Sequence, residues 1–236
     1  MAVPLAKSVT PPAGSRGDRI PKVILARALN LLVLIALLFV AACSEPDKPS
    51  IPLSLAVERG DINQIERHIL WGSDINQPNI NGEAPIHVSA TLGNYIAVKL
   101  LVENGADINL ADKNGISALG RAVISGRTQI AEYLLKQGAK QAPDQLLDLL
   151  VKTGNTSRDI IPLLIRWGAQ INHQDESGQS PLMRAIAAGK RVLVKNLIQN
   201  GADVNLADNA GRRPLAVARA QGDEDIIRML ERNGAQ

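Results

Sequence analysis

The feature of this chain that most constrains its fold is an internal period of about 33 residues, marked by glycine. In one series of glycines, successive members are 33 residues apart, except for one step that is three residues shorter. This series consists of Gly72, Gly105, Gly138, Gly168, Gly201 and Gly234. In a second series, the step at the same place is five residues shorter than 33, and the following step is two residues longer. This series consists of Gly60, Gly93, Gly126, Gly154, Gly189 and Gly222. Two series that share one period predict a stack of six similar units, each too small to bury its own apolar face.

Each unit is predicted to hold two short helices, of which the first ends at a glycine of the second series. Proline at a first helical position loses no hydrogen bond, and Ser180 can cap the free amides beside Pro181. A third series of glycines stands three residues before such a proline or an alanine, and it consists of Gly82, Gly115, Gly178 and Gly211. A small residue recurs in the first helix where neighbouring units must approach closely, at Ala56, Ser89, Ala122, Ala185 and Ala218.

Two sequence elements of the unit resemble those of a known family. Ala84-Pro85-Ile86-His87 resembles the Thr-Pro-Leu-His element of ankyrin repeats, and residues 105–109, Gly-Ala-Asp-Ile-Asn, resemble their Gly-Ala-Asp-Val-Asn turn. The resemblance implies an all-α ankyrin-repeat solenoid of about six helix-turn-helix units with capping terminal repeats. The units are expected at 51–78, 79–111, 112–140, 141–172, 173–207 and 208–236. The polar caps are expected to include Glu66, Arg67 and His68 at one end and Glu224, Asp225, Arg228 and Glu231 at the other.

The segment 1–42 is set apart by its composition. Residues 28–42 are apolar except for Asn30, and this run is shorter than the roughly 20 residues that span a bilayer. It ends in Val-Ala-Ala before Cys43, which resembles the lipobox of bacterial lipoproteins. The resemblance implies a cleaved signal peptide at 1–42, acyl chains on Cys43 and a linker over 43–50, with an uncleaved anchor as the alternative. Ser44 then indicates a bacterial envelope protein on the outer membrane, facing the periplasm.

The basic character of the whole chain lies mainly in this leader. The chain carries 26 basic and 23 acidic residues, and within segment 1–42 only Asp18 opposes the basic residues Lys7, Arg16, Arg19, Lys22 and Arg27. Without that segment the net charge of the remainder is about −1. With aromatic residues at 2% and no basic block, this remainder gives no support for nucleic-acid binding. Cys43 is the only cysteine, so a disulfide within the chain is excluded.

The fourth unit departs from the pattern. From Gln141 to Gln170 it lacks the opening motif and its glycine, and Pro162 falls where its second helix is expected. Because proline is tolerated only in a first turn, we expect that helix to start near Asp159, after a loop at 155–158. One interpretation is an internal unit that has drifted while its leucines remain in the core, at Leu146, Leu147, Leu149, Leu150, Leu163 and Leu164. The other is that the shortened unit forms a pocket or hinge for a partner.

The residues of the chain give little support for catalysis, a cofactor or a metal. His87 occupies the histidine position of the ankyrin motif, where the resemblance implies a structural bond to neighbouring backbone. His68 and His173 belong to different units, and no cysteine cluster, His-Glu-x-x-His or phosphate-binding loop is present. The sequence therefore indicates a protein that is not an enzyme. A hydrolase that uses His173 and Asp175 is the less favoured alternative.

A protein-binding surface is implied by the resemblance instead. Partners of ankyrin proteins usually dock on the concave face, and by position this face comprises Ile80, Asn81, Glu83, Thr91, Leu92, Lys113, Asn114, Ile116, Ile124, Ser125, Glu176, Ser177, Gln179, Asn209, Ala210, Arg212 and Gln221. We expect Ile80, Leu92, Ile116 and Ile124 to form one apolar patch. Trp71 and Trp167 share a position that is polar in other units, so they are either exposed hot spots or covers for a neighbouring repeat.

Together these features indicate a non-catalytic, monomeric lipoprotein that binds another protein. Some bacterial ankyrin lipoproteins that this chain resembles are immunity proteins, which protect the periplasm against phospholipase effectors of type VI secretion. The sharpest hypothesis is therefore that the chain binds and neutralises such a toxin. The alternative is a periplasmic scaffold or chaperone-like factor in envelope or oxidative-stress defence.

Overall fold

The computed structural model describes residues 47–236, so Cys43 and the predicted signal peptide lie outside the described residues. Over this range the chain forms twelve α-helices and an isolated β-bridge between Ala111 and Ser117. No helix within residues 47–236 has the length and apolarity needed to cross a membrane.

The twelve helices alternate between an inner and an outer row. The inner helices are α1 (Leu53–Arg59), α3 (Pro85–Leu92), α5 (Ala118–Ile124), α7 (Pro143–Thr153), α9 (Pro181–Ala187) and α11 (Pro214–Gln221). The outer helices are α2 (Ile62–Trp71), α4 (Tyr95–Glu103), α6 (Thr128–Lys136), α8 (Ile160–Arg166), α10 (Arg191–Gln199) and α12 (Glu224–Arg232). Each inner helix contacts its own outer helix and the inner helices of adjacent units. This architecture confirms the predicted all-α solenoid.

The ends of the helices follow from the residues that the sequence singled out. Pro85, Pro181 and Pro214 each occupy the first position of an inner helix, where the missing N–H is not needed. The Ser180 hydroxyl accepts the amide of Met183 at 3.3 Å and so caps α9. Gly154 ends α7 at φ +78, a left-handed conformation in which a side chain would be strained.

The core runs along the stack between the two rows. The small residues of the inner helices are fully buried, as expected where units approach closely, and they are Ala56, Ser89, Ala122, Ala185 and Ala218. Branched residues from both rows fill the remaining space, for example Ile86 and Leu101 in the second unit. Burial is therefore shared between neighbours, and each unit depends on the next for its apolar face.

The fourth unit folds with the late helix that its proline predicted. Helix α8 begins at Ile160 after the cap residue Asp159, so Pro162 stands in its first turn and interrupts no hydrogen bond. The loop before α8 is held by the next unit, because the buried Asn196 side chain donates to the Thr156 carbonyl at 3.1 Å. One of the predicted core leucines, Leu149, is only half-buried and lines a groove instead.

His68 does not belong to a solvated polar cap, contrary to the expectation for the first unit. Its side chain is buried, and its ring nitrogens lie 2.9 Å from the Ser73 hydroxyl and 2.8 Å from the Ile51 carbonyl. The chain before α1 folds back on α2, where the Gln64 side chain also accepts the amide of Ser50 at 3.0 Å. His68 is therefore a structural residue that anchors the start of the stack.

A ladder of side-chain bonds joins four of the five pairs of adjacent units. The side-chain oxygen of Asn109 accepts the Lys140 amide at 2.9 Å, and the two residues are 31 positions apart. The same spacing of 31 links three further pairs, which are Asn76 with Asp107, Asn172 with Asp203, and Asn205 with Gln236. The fourth unit has a similar bond within itself, because Asp144 accepts the Gln170 amide at 2.7 Å across 26 positions.

We expect an Asn109→Ala variant to lose about 1 kcal/mol of unfolding free energy, because the Lys140 amide loses its partner at a site that water reaches. Urea unfolding followed by circular dichroism measures the loss. Asn81→Ala is the matched control, since its exposed side chain lies in no such pair. Equal stability of the Asn109→Ala variant and the wild type would show that the ladder contributes nothing.

Candidate functional site

Four loops between the units share one hydrogen-bonded geometry, and we call them fingers. They comprise residues 79–83, 112–116, 175–179 and 208–212. In each finger the first side chain accepts the amides two and four residues later, at 2.7 to 3.0 Å. The first residue is Asn79 in one finger and an aspartate in the others, and this side chain fixes the shape of the turn.

Two arginines of the inner helices hold the fingers in place. Arg121 on α5 bonds to Asp112 with its Nε at 2.7 Å and reaches Glu83 of the preceding finger at 3.1 Å. Arg184 on α9 has the same position in its unit, where it pairs with Asp148 of α7 and lies 4.0 Å from Asp175. The structure therefore brings charged side chains of adjacent units together along one face.

The environment of Asp112 favours its ionised form. Burial alone would raise its pKa, but the Ile116 amide, the Arg121 guanidinium and the Asn114 amide outweigh burial and hold the pKa below its usual range. The pKa of Asp175 and of Asp208 is lowered in the same way, by finger amides and a nearby arginine against the effect of burial. The three fingers that begin with an aspartate thus favour a negative charge at that position.

Acid is expected to weaken the fold through these fingers. A carboxyl whose pKa is lower in the folded chain stabilises it above the unfolded pKa of about 3.9, and this stabilisation is lost as the pH falls through the folded pKa. We expect Asp112→Asn to reduce the fall in unfolding free energy between about pH 5 and about pH 2. Urea titrations across that range measure the slope. A slope equal to that of the wild type would contradict this role of Asp112.

The row of fingers has a gap in the middle. Adjacent fingers contact each other through main-chain bonds, from the Lys113 amide to the Gly82 carbonyl at 3.3 Å and from the Asn209 amide to the Ser177 carbonyl at 3.1 Å. Between fingers 112–116 and 175–179 one finger is missing, because the chain there is five residues short of a full glycine step. The missing finger leaves a groove of about 560 Å³, which we call the central groove. Its lining includes Ile116, Gln145, Asp148, Leu149, Lys152, Arg184 and Lys190.

A second groove lies at the start of the stack, before the first finger. This N-terminal groove has a volume of about 470 Å³, and its lining is mainly apolar. The apolar residues that line it include Pro52, Leu53, Val57, Pro78, Ile80 and Val88. Both grooves are concave surfaces of the size that small ligands or partner side chains fill.

The four residues that were predicted to form one apolar patch do not line a single groove. Ile80 is fully exposed and lines the N-terminal groove, whereas Ile116 is half-buried and lines the central groove. Leu92 is 50% exposed at the end of α3, and Ile124 is half-buried at the end of α5. Ile80 and Ile116, the two isoleucines of the fingers, therefore line different grooves.

The other predicted contact residues differ in their exposure to solvent and in whether they already have partners. The exposed ones are Asn81, Lys113, Asn114, Glu176, Ser177, Asn209, Ala210, Arg212 and Gln221, and the half-buried ones are Glu83, Thr91, Ser125 and Gln179. Glu83 is already paired with Arg121, and the Thr91 hydroxyl donates to the His87 carbonyl at 2.9 Å. Asn209 donates its side-chain amide to the Glu176 carbonyl at 3.0 Å. Their role in binding a partner stays a prediction.

Trp71 and Trp167 both keep part of their surface in solvent. Trp71 is 44% exposed at the end of α2, beside Leu70 at 70%, and Trp167 is 39% exposed after α8. Exposed tryptophan is a frequent binding hot spot, but more than half of each side chain is covered within the stack. Both interpretations of these residues therefore remain predictions.

The histidines occupy structural positions. His87 is fully buried, accepts the Ala84 amide at 3.1 Å and lies 2.8 Å from the Leu110 carbonyl, as the resemblance implied. His173 bonds to Asp148 at 2.6 Å and to the Gln170 carbonyl at 2.8 Å, so Asp148 and not Asp175 is its carboxylate partner. Within residues 47–236 no group of three or more acidic, histidine or cysteine side chains is arranged to hold a metal ion.

Sequence reasoning missed Arg121, Arg184 and Asp148 as residues of this surface. The two arginines do carry a signal, because each stands three residues after the alanine or proline that opens its helix. Asp148 carries none, since the fourth unit lacks the motif that would set its register.

Comparison with known proteins gives the same family throughout the stack. A family model for ankyrin repeats in three copies matches residues 53–144 and again residues 147–236. Rabankyrin-5 of Homo sapiens is 28% identical over 152 residues, which cover 61% of this chain but only 13% of Rabankyrin-5. The chain thus spans a small part of that relative.

Two solved structures share the architecture. The ankyrin repeat domain of Bcl-3 aligns with a TM-score of 0.65 at 26% identity, covering 80% of this chain and 89% of that chain. A chain of the complex between a predatory endopeptidase from Bdellovibrio bacteriovorus and an immunity protein aligns with a TM-score of 0.62 at 25% identity, covering 78% of this chain and 99% of that chain. Since the family model covers more than half of the sequence, the chain belongs to the ankyrin-repeat family.

Proposed function

We propose that this chain is a non-catalytic immunity protein, which binds a hydrolytic toxin through its concave face and neutralises it. The observation that carries the proposal is the likeness to a structure in which an immunity protein is bound to a predatory endopeptidase. Ankyrin repeats generally serve as protein-interaction modules, and two grooves of this stack offer concave surface to a partner. The partner of that similar complex is an endopeptidase, so we propose a hydrolase and regard a phospholipase as one of several kinds.

A catalytic role is disfavoured by the contacts of the candidate residues. His173 engages Asp148 with one ring nitrogen and the Gln170 carbonyl with the other. Asp175 uses its Oδ1 to shape its finger, where it accepts the amides of Ser177 and Gln179. A histidine that acts as a general base needs a ring nitrogen that can reach the substrate. These bonds support a structural role for both residues.

We further propose that acyl chains on Cys43 tether the domain to the bacterial envelope, facing the periplasm. The basis is the sequence alone, because Cys43 follows an apolar run with small residues before it. We expect a Cys43→Ser variant to move from the membrane fraction to the soluble fraction, since serine lacks the thiol that would carry the acyl anchor. Ser44→Ala is the matched control and should stay with the membrane. Equal membrane retention of both variants would contradict lipidation.

The immunity function is tested by complex formation and protection together. The full chain is purified from solubilised envelopes of cells that have met competitor strains, and the expected result is a one-to-one complex with a secreted hydrolase. Adding purified chain should then inhibit that hydrolase in proportion to the amount added. Cells that lack the gene should be killed by competitors that the parent strain survives. Equal survival of the two strains would overturn the proposal.

A further inference from the structure

The regular fingers show how one finger recognises the next. The Asn209 amide donates to the Ser177 carbonyl at 3.1 Å, and the Asn209 side chain donates to the Glu176 carbonyl at 3.0 Å. At the other end of the stack the Lys113 amide donates to the Gly82 carbonyl. A finger thus presents main-chain acceptors on one edge and a main-chain donor on the opposite edge, in the manner of an edge strand.

The two fingers that flank the gap have the same main-chain groups without a finger to bond to. Asn114 and Gly115 line the central groove, and their carbonyls correspond by position to those of Ser177 and Gly82. The Glu176 amide, in the finger on the other side of the gap and outside the groove lining, corresponds by position to that of Asn209. Within residues 47–236 none of these three groups bonds to another protein group, and all three residues are exposed. The gap therefore offers a segment of backbone the same contacts that fingers offer one another.

The charged side chains that line the groove indicate which net charge such a segment should carry. Asp148 is paired with Arg184, while Lys152 is exposed and has no ion-pair partner in the described part of the chain. The Lys190 ammonium donates to the carbonyls of Val151 and Lys152 at 2.7 and 2.8 Å, which adds positive charge to the same wall. The lining thus holds three cations and one anion, and the exposed Glu176 of the flanking finger adds a second anion outside the lining, so the balance stays positive by one. An acidic segment complements this surplus.

We propose that the partner inserts an acidic turn into the central groove and so supplies the finger that the fourth unit lacks. Its amide donates to the Gly115 carbonyl, its carbonyl accepts the Glu176 amide, and its carboxylate lies against Lys152. Ile116 and Leu149 give the turn an apolar floor. This inference rests on the proposed function, because it names the part of the partner that the concave face recognises.

The test uses a cyclised, fluorescein-labelled peptide that copies residues 172–181 of this chain, which form an acidic finger with Asp175 and Glu176. Cyclisation reduces the ordering cost of binding. Its anisotropy is measured against the full chain in detergent. We expect saturable binding that weakens at least about fivefold when both acids of the peptide become amides, and at least about fivefold in a Lys152→Glu chain. Lys195→Glu, the same charge reversal on α10, should leave binding within about twofold.

A second variant fills the gap from within. Inserting five residues of a regular finger between Lys140 and Gln141 restores the regular step from Gly126 to Gly154, and it should abolish peptide binding while the helical circular dichroism is kept. No saturable binding, or binding that Lys152→Glu leaves unchanged, would overturn the inserted turn. A dimer of the chain that Lys152→Glu dissociates would overturn it as well, because the groove would then serve a second copy.

The outcomes separate this inference from the function on which it rests. A hydrolase that co-purifies equally with the wild-type and Lys152→Glu chains would leave the immunity function standing and exclude the inserted turn. Peptide binding with the expected charge dependence, without a hydrolase complex or protection, would exclude the immunity function alone.

Discussion

A His87→Ala variant is expected to lose about 3 kcal/mol of unfolding free energy, because a buried side chain that ties α3 to the end of its own unit disappears. The imidazole is fully buried and engages the Ala84 amide of its own unit and the Leu110 carbonyl before the next finger. Alanine leaves both groups without a partner and opens a cavity beside Ile86. Urea unfolding monitored by circular dichroism measures the change.

His87→Asn separates the two contributions. An asparagine oxygen can occupy the place of the ring Nδ1, so the Ala84 amide keeps a partner while the bond to Leu110 is lost. We expect this variant to lose about half as much free energy as His87→Ala. If His87→Ala itself cost under about 1 kcal/mol, water would have to replace the imidazole, and its role in holding the start of α3 to the Leu110 carbonyl would be wrong.

Gly178→Ala should destabilise the chain by about 3 kcal/mol for two separate reasons. Gly178 has φ +77, a left-handed conformation that costs an L-residue about 1 kcal/mol or more. A methyl group there would also lie 2.5 Å from the Asn209 amide nitrogen and would contact its side-chain oxygen. The neighbouring finger must then move away and lose its bond to Ser177.

Gly211→Ala provides the matched control for this effect. Gly211 holds the same place in the last finger with φ +74, but an added methyl group would meet no atom within 4 Å. We expect it to cost only the conformational penalty, about 1 kcal/mol. The difference between the two variants, about 2 kcal/mol, reports the contact between the last two fingers. Equal losses of unfolding free energy in the two variants would show that the last two fingers can move apart without a loss of stability.

Much of the fold could be predicted because the residues that mark helix ends recur in most repeats. Proline at a first helical position and glycine in a left-handed conformation act locally, so Pro181 and Gly154 mark helix ends without knowledge of the tertiary structure. The same logic places the start of α8 after Asp159. These features depend on backbone geometry, which the sequence specifies residue by residue.

The candidate site was less predictable because it depends on contacts between units. The sequence pattern places Asn109 in a local turn, whereas its side chain bonds across 31 residues to the next unit. His173 pairs across 25 positions with Asp148 of α7 in the fourth unit, which lacks a finger and the motif that would set its register. His68 is buried because the chain before α1 folds back on it, which no local pattern indicates.

The constant reach of the asparagine ladder, 31 positions at each rung, makes most units interchangeable. A whole segment of one period could be duplicated or deleted within the second or fifth unit, and the asparagine oxygen and the amide of the ladder at the new junction would again meet each other. The fourth unit does not fit such an exchange, because its Asp144 bonds within the unit across only 26 positions. Gene duplication can therefore lengthen this stack at either end while the central groove keeps its place.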